Sequence, residues 1–205
     1  MVTNLGRPDW SAVFSMVPKK QFEVARKLLA ASGYLDLEMP AHALRTLGGI
    51  SDPEVMPFQF YQLLGLTLRA ESKFEEALVA LSRAHKERPE DLDVLMGMAW
   101  CYKRTDRLPQ AISVMQEAYL AHPKVPVVLY NIACYYSLAG DKAQALSWLG
   151  RALRMETALR KLMTEEPEFE RKSLRELIPD EPDFDQLRND PDFQYIANLE
   201  LTTDL

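Results

Sequence analysis

The chain has little from which a catalytic or cross-linked site could be built. Only two cysteines, Cys101 and Cys134, occur in 205 residues. Two thiols make no disulfide framework, and no cysteine or histidine falls at the spacing of a metal site. The three histidines, His42, His85 and His122, share no repeat position and have no partner at ligand spacing, so they read as surface residues. Phosphate-binding glycine loops, GxGxxG, GxSxG and HExxH are all missing. No acid–base pair or activated nucleophile is set up. The expectation is a non-enzyme with no catalytic residues, no cofactor and no metal. Long apolar runs are missing too: none approaches the roughly 20 residues that span a bilayer. The N-terminal stretch MVTNLGRPDWSAVF lacks the charged start and apolar core of a secretory signal. A cytoplasmic location and no membrane partner are expected from these two absences. There is no basic excess either. Lys plus Arg number 24 against 30 Asp plus Glu, a formal net charge of -6. Sequence-independent nucleic-acid binding needs a basic surface, so no nucleic-acid partner is expected. At 47% hydrophobic and 26% charged residues, the composition is that of a folded chain.

What the sequence does have is repetition. Leu95, Met98, Ala99, Tyr102, Ala111, Met115 and Ala118 recur 34 residues later as Leu129, Ile132, Ala133, Tyr136, Ala145, Leu149 and Ala152. The same offset runs backwards to Tyr61, Leu64, Gly65, Leu68, Ala77, Leu81, Ala84 and Pro89. One step earlier come Ala31, Tyr34, Ala43, Leu47 and Ile50. Four units result, at about 24–57, 58–91, 92–125 and 126–159. The first is degenerate, with Lys27 where a large apolar residue is usual and Val55 where proline is usual.

A 34-residue period with this large–small–aromatic–small pattern resembles the tetratricopeptide repeat. The resemblance implies an all-α fold: a right-handed α-solenoid of about four helix pairs, with capping helices at both ends. The implied organisation is an N-terminal arm or capping helix over 1–17, the array over 18–159 and an acidic capping segment over 160–205. Local signals place the helices. Pro18 and Pro40 suit first turns, with helices expected from Lys19 to Tyr34 and from Pro40 to Gly48-Gly49. The second pair is expected over Phe58–Ala70 and Phe74–Lys86, around a turn at Ser72-Lys73. The third pair turns at Thr105–Arg107 and the fourth at Gly140-Asp141, where Gly ends one helix and Asp caps the next. The last helix of the fourth pair is expected to continue to about Met163. Small residues at Gly65, Ala99 and Ala133 let paired helices approach, while Leu64, Met98, Ile132 and their partners fill the space between. In the arm, Trp10, Phe14 and Val17 make an apolar stripe suited to covering the first repeat. In the tail, helices are expected over Glu168–Leu177, Asp185–Arg188 and from Asp190-Pro191 onward. The segment EPDFDQLRNDPDFQYI resembles an ending element of bacterial tetratricopeptide arrays, and Phe184, Leu187 and Phe193 read as covers for the open end of the stack.

The resemblance also implies a concave groove lined by the first helix of each pair. Mapped by register, the candidate binding residues are Gln62, Leu66 and Arg69 in the second unit, Met96, Trp100, Lys103 and Arg104 in the third, and Tyr130, Asn131 and Cys134 in the fourth. Trp, Tyr, Met and Arg are enriched at binding hot spots, and Asn131 suits the backbone of an extended ligand. The carboxylate clamp of tetratricopeptide cochaperones does not fit, since its positions here hold Leu28, Ser32, Leu63, Asp93 and Gly97. The function implied is a non-catalytic protein-interaction module, an adaptor or scaffold, gripping a peptide or helix of a protein partner. A dedicated chaperone for one client, such as a secretion substrate, and a self-associating structural protein stay open as alternatives. So do monomer against homodimer, and occupation of the groove by the chain's own terminal helix.

Overall fold

The computed structural model describes residues 18–162 and 173–198. The expected helix over Trp10, Phe14 and Val17 lies outside them, as does the first part of the expected 168–177 helix. The fold is all-α, of the α-solenoid class built from tetratricopeptide-type helix pairs, and no strand occurs among the described residues. The chain falls into two compact units, divided between Arg88 and Pro89.

The first unit holds α1 (Lys19–Asp36), α2 (Pro40–Gly48), a 3-10 turn (Pro53–Val55), α3 (Pro57–Ala70) and α4 (Phe74–Glu87). The second holds α5 (Leu92–Arg104), α6 (Leu108–Ala121), α7 (Pro126–Leu138) and α8 (Lys142–Leu162). A C-terminal segment follows: the single turn α9 (Leu174–Leu177), 3-10 turns at Ile178–Asp180 and Pro182–Leu187, and α10 (Pro191–Asn198). Pro40, Pro57 and Pro126 each open a helix, where a missing N–H costs nothing. Asp91 and Asp141 accept from the backbone N–H of Val94 and Gln144, both at 3.0 Å.

The turn inside each pair is one structure used four times. Glu38, Ser72, Asp106 and Gly140 have φ of 55°, 59°, 57° and 77°, and they sit at the same repeat position. The residue after each donates its N–H five residues back: Met39 to Tyr34, Lys73 to Leu68, Arg107 to Tyr102 and Asp141 to Tyr136, at 2.8–3.0 Å. These are Schellman closures. Only Gly140 announces the left-handed conformation in sequence. The other three turns are held in it by the packed helices on either side.

Small residues allow those helices to close. Ala77, Ala84, Ala99, Ala111, Ala118, Ala133, Ala145 and Ala152 are all completely buried. Gly65 is tighter still: a Cβ there would lie 2.5 Å from Leu81 Cγ. The irregular first unit has its own reason for Lys27, whose Nζ donates to the Gly49 carbonyl and closes the end of α2. In the second unit Leu95, Met115, Leu129, Ile132 and Leu149 form one core, which continues into Leu174, Ile178, Phe184, Leu187 and Phe193. The C-terminal segment is thus part of that unit's packing. Leu174 N–H donates to both oxygens of Glu156 on α8 at 3.0 Å. Lys142, at the start of α8, pairs with Asp190 and Asp192.

Candidate functional site

In the first unit α3 carries Gln62, Leu66 and Arg69 at i, i+4 and i+7, one stripe of a helix, and all three are half-buried. In the second unit α5 carries Met96, Trp100, Lys103 and Arg104 at the same kind of spacing. Trp100 is half-buried and Arg104 exposed. The guanidinium of Arg104 stands 5.3 Å from the Trp100 ring centroid, a cation–π stack.

The neighbouring face of α7 is covered. The 3-10 turn Pro182–Leu187 packs on it, with Phe184 fully buried against Tyr130 (ring centroids 5.7 Å apart, edge to face) and against Phe193 (5.3 Å). Lys103 reaches from α5 to Asp183, with Nζ 2.8 Å from Oδ1 and 2.5 Å from Oδ2. Asp183 is itself buried. The same Nζ stands 5.9 Å from the Tyr135 ring centroid. The turn is held from behind by Arg188, which donates to the carbonyls of Pro179 and Glu181 and to the Asp185 carboxylate.

Of the seven candidate residues in this unit, Met96, Trp100, Arg104 and Asn131 therefore reach solvent. Lys103 is committed to an ion pair, and Tyr130 and Cys134 lie beneath the chain's own C-terminal segment. Burial, then the charges around it, pushes the Tyr130 phenol up; Cys134, Glu181 and Asp183 are the neighbours that raise it. Burial pushes the Cys134 thiol up as well. A raised thiol is the reverse of an activated nucleophile. Two of the histidines serve structure: His42 stacks on Tyr34 at 5.4 Å, and His122 Nε2 lies 2.6 Å from the Glu90 carbonyl oxygen.

The groove positions taken from the repeat register do not include Glu181, Asp183 or Phe184, because these lie outside the repeats. Phe184 is read from the sequence only as a cover for the end of the stack, and Glu181 and Asp183 carry no signal beyond the acidic, Pro-punctuated character of the tail. The register also passes over an aromatic cluster on the second helices of the pairs. Tyr119 on α6 and Trp148 on α8 meet edge to face at 5.1 Å. Arg151 stacks 4.1 Å from the Trp148 centroid and donates to Tyr119 Oη at 2.6 Å.

Paired helices on a 34-residue period, closed by a repeated Schellman turn, define the tetratricopeptide class of fold. Residues 68–128 match the sequence profile of the family described as Tetratricopeptide repeat; the match does not reach the tail. No curated protein matches the sequence. Several solved structures share the fold, among them three of MamA. A structure of MamA has a TM-score of 0.63 at 20% identity, covering 67% of this chain and 81% of that one. A second, of MamA protein, has a TM-score of 0.61 at 20% identity over 70% of this chain and 77% of that one. A third, MamA MSR-1 C2, has 0.59 at 19% identity over 71% and 83%. Among the described residues no helix is long and apolar enough to cross a membrane.

Proposed function

We propose that the protein is a non-catalytic interaction module, an adaptor or assembly scaffold, that receives an extended or helical segment of a protein partner on the first helices of its pairs. One observation carries the reading. The α5–α7 face of the second unit already holds a peptide: its own residues 181–188, anchored by an ion pair at Lys103 and an aromatic contact at Tyr130. Beside that peptide the same unit carries Met96, the Trp100–Arg104 stack and Asn131, each with part of its surface in solvent. This combines an apolar platform, a cation and a backbone-binding amide, the chemistry suited to an apolar segment with acidic flanks. In the first unit the α3 stripe of Gln62, Leu66 and Arg69 offers a second surface of the same kind. Tetratricopeptide arrays as a class serve protein–protein contacts, and fold by itself names no partner.

The test is capture of partners on the immobilised full chain beside a Trp100→Ala/Arg104→Glu variant of unchanged melting temperature. A partner captured by the wild type and lost from the variant is then titrated directly, following Trp100 fluorescence. Partners retained equally by both proteins would remove this face from consideration.

A further inference from the structure

We propose that Cys134, Glu181 and Asp183 form a binding site for a zinc-class divalent cation that ties the C-terminal segment to α7. The Cys134 Sγ and one carboxylate oxygen each from Glu181 and Asp183 lie within 4.8 Å of one another. Cys134 is 2% exposed and Asp183 7%. A thiolate with two carboxylate oxygens suits zinc, with donors at about 2.0–2.3 Å from the ion. Tetrahedral geometry then sets donors about 3.3–3.8 Å apart, so no pair needs to close by more than about 1.5 Å.

A second observation points to a missing ligand. The hydroxyl of Tyr130, in a residue 3% exposed, has no hydrogen-bond partner. Tyr130 precedes Cys134 by one helical turn on the same face of α7. Its phenol feels the charges of those same three groups. Buried polar atoms are almost always satisfied, and a fourth ligand position, filled by this oxygen or by a water bonded to it, satisfies this one.

Charge supports the assignment. The three ligands in their anionic forms carry three negative charges. Lys103, whose Nζ reaches both Asp183 oxygens, supplies one positive charge, and one divalent ion balances the remainder. On binding, Asp183 gives up one of its two contacts to Lys103 and turns the freed oxygen to the metal, while the contact that is kept supports the ligating carboxylate. Glu181 Oε1 accepts from the Asp183 N–H at 3.2 Å, which leaves its second oxygen for the ion. On binding, the Cys134 thiol proton goes to solvent as the metal–sulfur bond forms.

The experiment titrates the reduced, chelator-treated full chain with Co2+, then with Zn2+. The expected result is a thiolate-to-cobalt absorption band with a single-site end point, bleached by Zn2+, and a melting temperature that rises with Zn2+ and falls back with chelator. Cys134→Ala removes the band, and Glu181→Gln weakens Zn2+ binding by roughly tenfold or more. Absence of a thiolate band in the wild type overturns the proposal. So does a band that survives in Cys134→Ala, or Zn2+ affinity unchanged in Glu181→Gln. Should Cys134→Ala fail to fold by circular dichroism, the wild-type band and Glu181→Gln decide alone.

Discussion

At Gly65 two residue-level effects oppose each other, and their magnitudes decide. Alanine is the better helix former by about 1 kcal/mol. An added Cβ, however, meets Leu81 Cγ at 2.5 Å and Leu81 backbone nitrogen at 3.1 Å. The backbone atom cannot swing away, so overpacking of about 1–3 kcal/mol outweighs the propensity gain. Gly65→Ala is expected to lower the urea midpoint, although Ala99 and Ala133 stand at the same repeat position elsewhere. The left-handed turn residues have the opposite sign. Ser72 and Asp106 adopt φ of 59° and 57°, a conformation that costs a residue with a Cβ about 1–2 kcal/mol. The greater freedom of glycine in the unfolded chain offsets about 0.4–1 kcal/mol of that. Ser72→Gly and Asp106→Gly should therefore each raise stability by about 0.5–1 kcal/mol, while Gly140→Ala lowers it by about as much. Denaturant curves on the three variants check the pattern.

The element that most shapes the candidate site is the 3-10 turn Pro182–Leu187. Phe184→Ala empties the pocket between Tyr130 and Phe193 and is expected to cost about 3–5 kcal/mol, read as a fall in the denaturant midpoint. The same element makes stability depend on alkaline pH. In the metal-free protein Cys134 and Tyr130 bind their protons more tightly when folded than in the unfolded chain, because burial disfavours their anions. Stability is complete below the ordinary thiol value of 9.0 and is lost as pH rises past it and past the ordinary phenol value of 10.0. Tyr130→Phe removes one of the two groups, and its midpoint should fall less between neutral pH and pH 10.0 than that of the wild type. At neutral pH and without metal the same variant deletes an unpartnered buried hydroxyl, so it should then be no less stable than wild type.

For the molecule as a whole, a repeat architecture makes small gains add. Glu38, Ser72 and Asp106 occupy separate turns with no shared partners in the Schellman bonds that close them. The triple glycine variant is expected to gain the sum of the single gains to within about 0.5 kcal/mol. A measured gain well below that sum would show that the turns are coupled.

The sequence by itself determined the period, the helix pairs, and the places where small residues bring helices together. All are local or regularly spaced, and a 34-residue register carries them from pair to pair. It also picked out Trp100 and Arg104 as unrepeated residues on α5. The tertiary structure alone decided that Tyr130 and Cys134 are covered, that Lys103 is paired to Asp183, and that Glu181 and Asp183 stand beside a buried thiol. Those contacts join α5 and α7 to a tail beyond the repeats, where no period relates the partners. They follow from how the tail packs across the helices, which spacing along the chain does not encode. The same division explains the left-handed turns: at Glu38, Ser72 and Asp106 the side chain gives no signal, and the packed helices on either side impose the conformation.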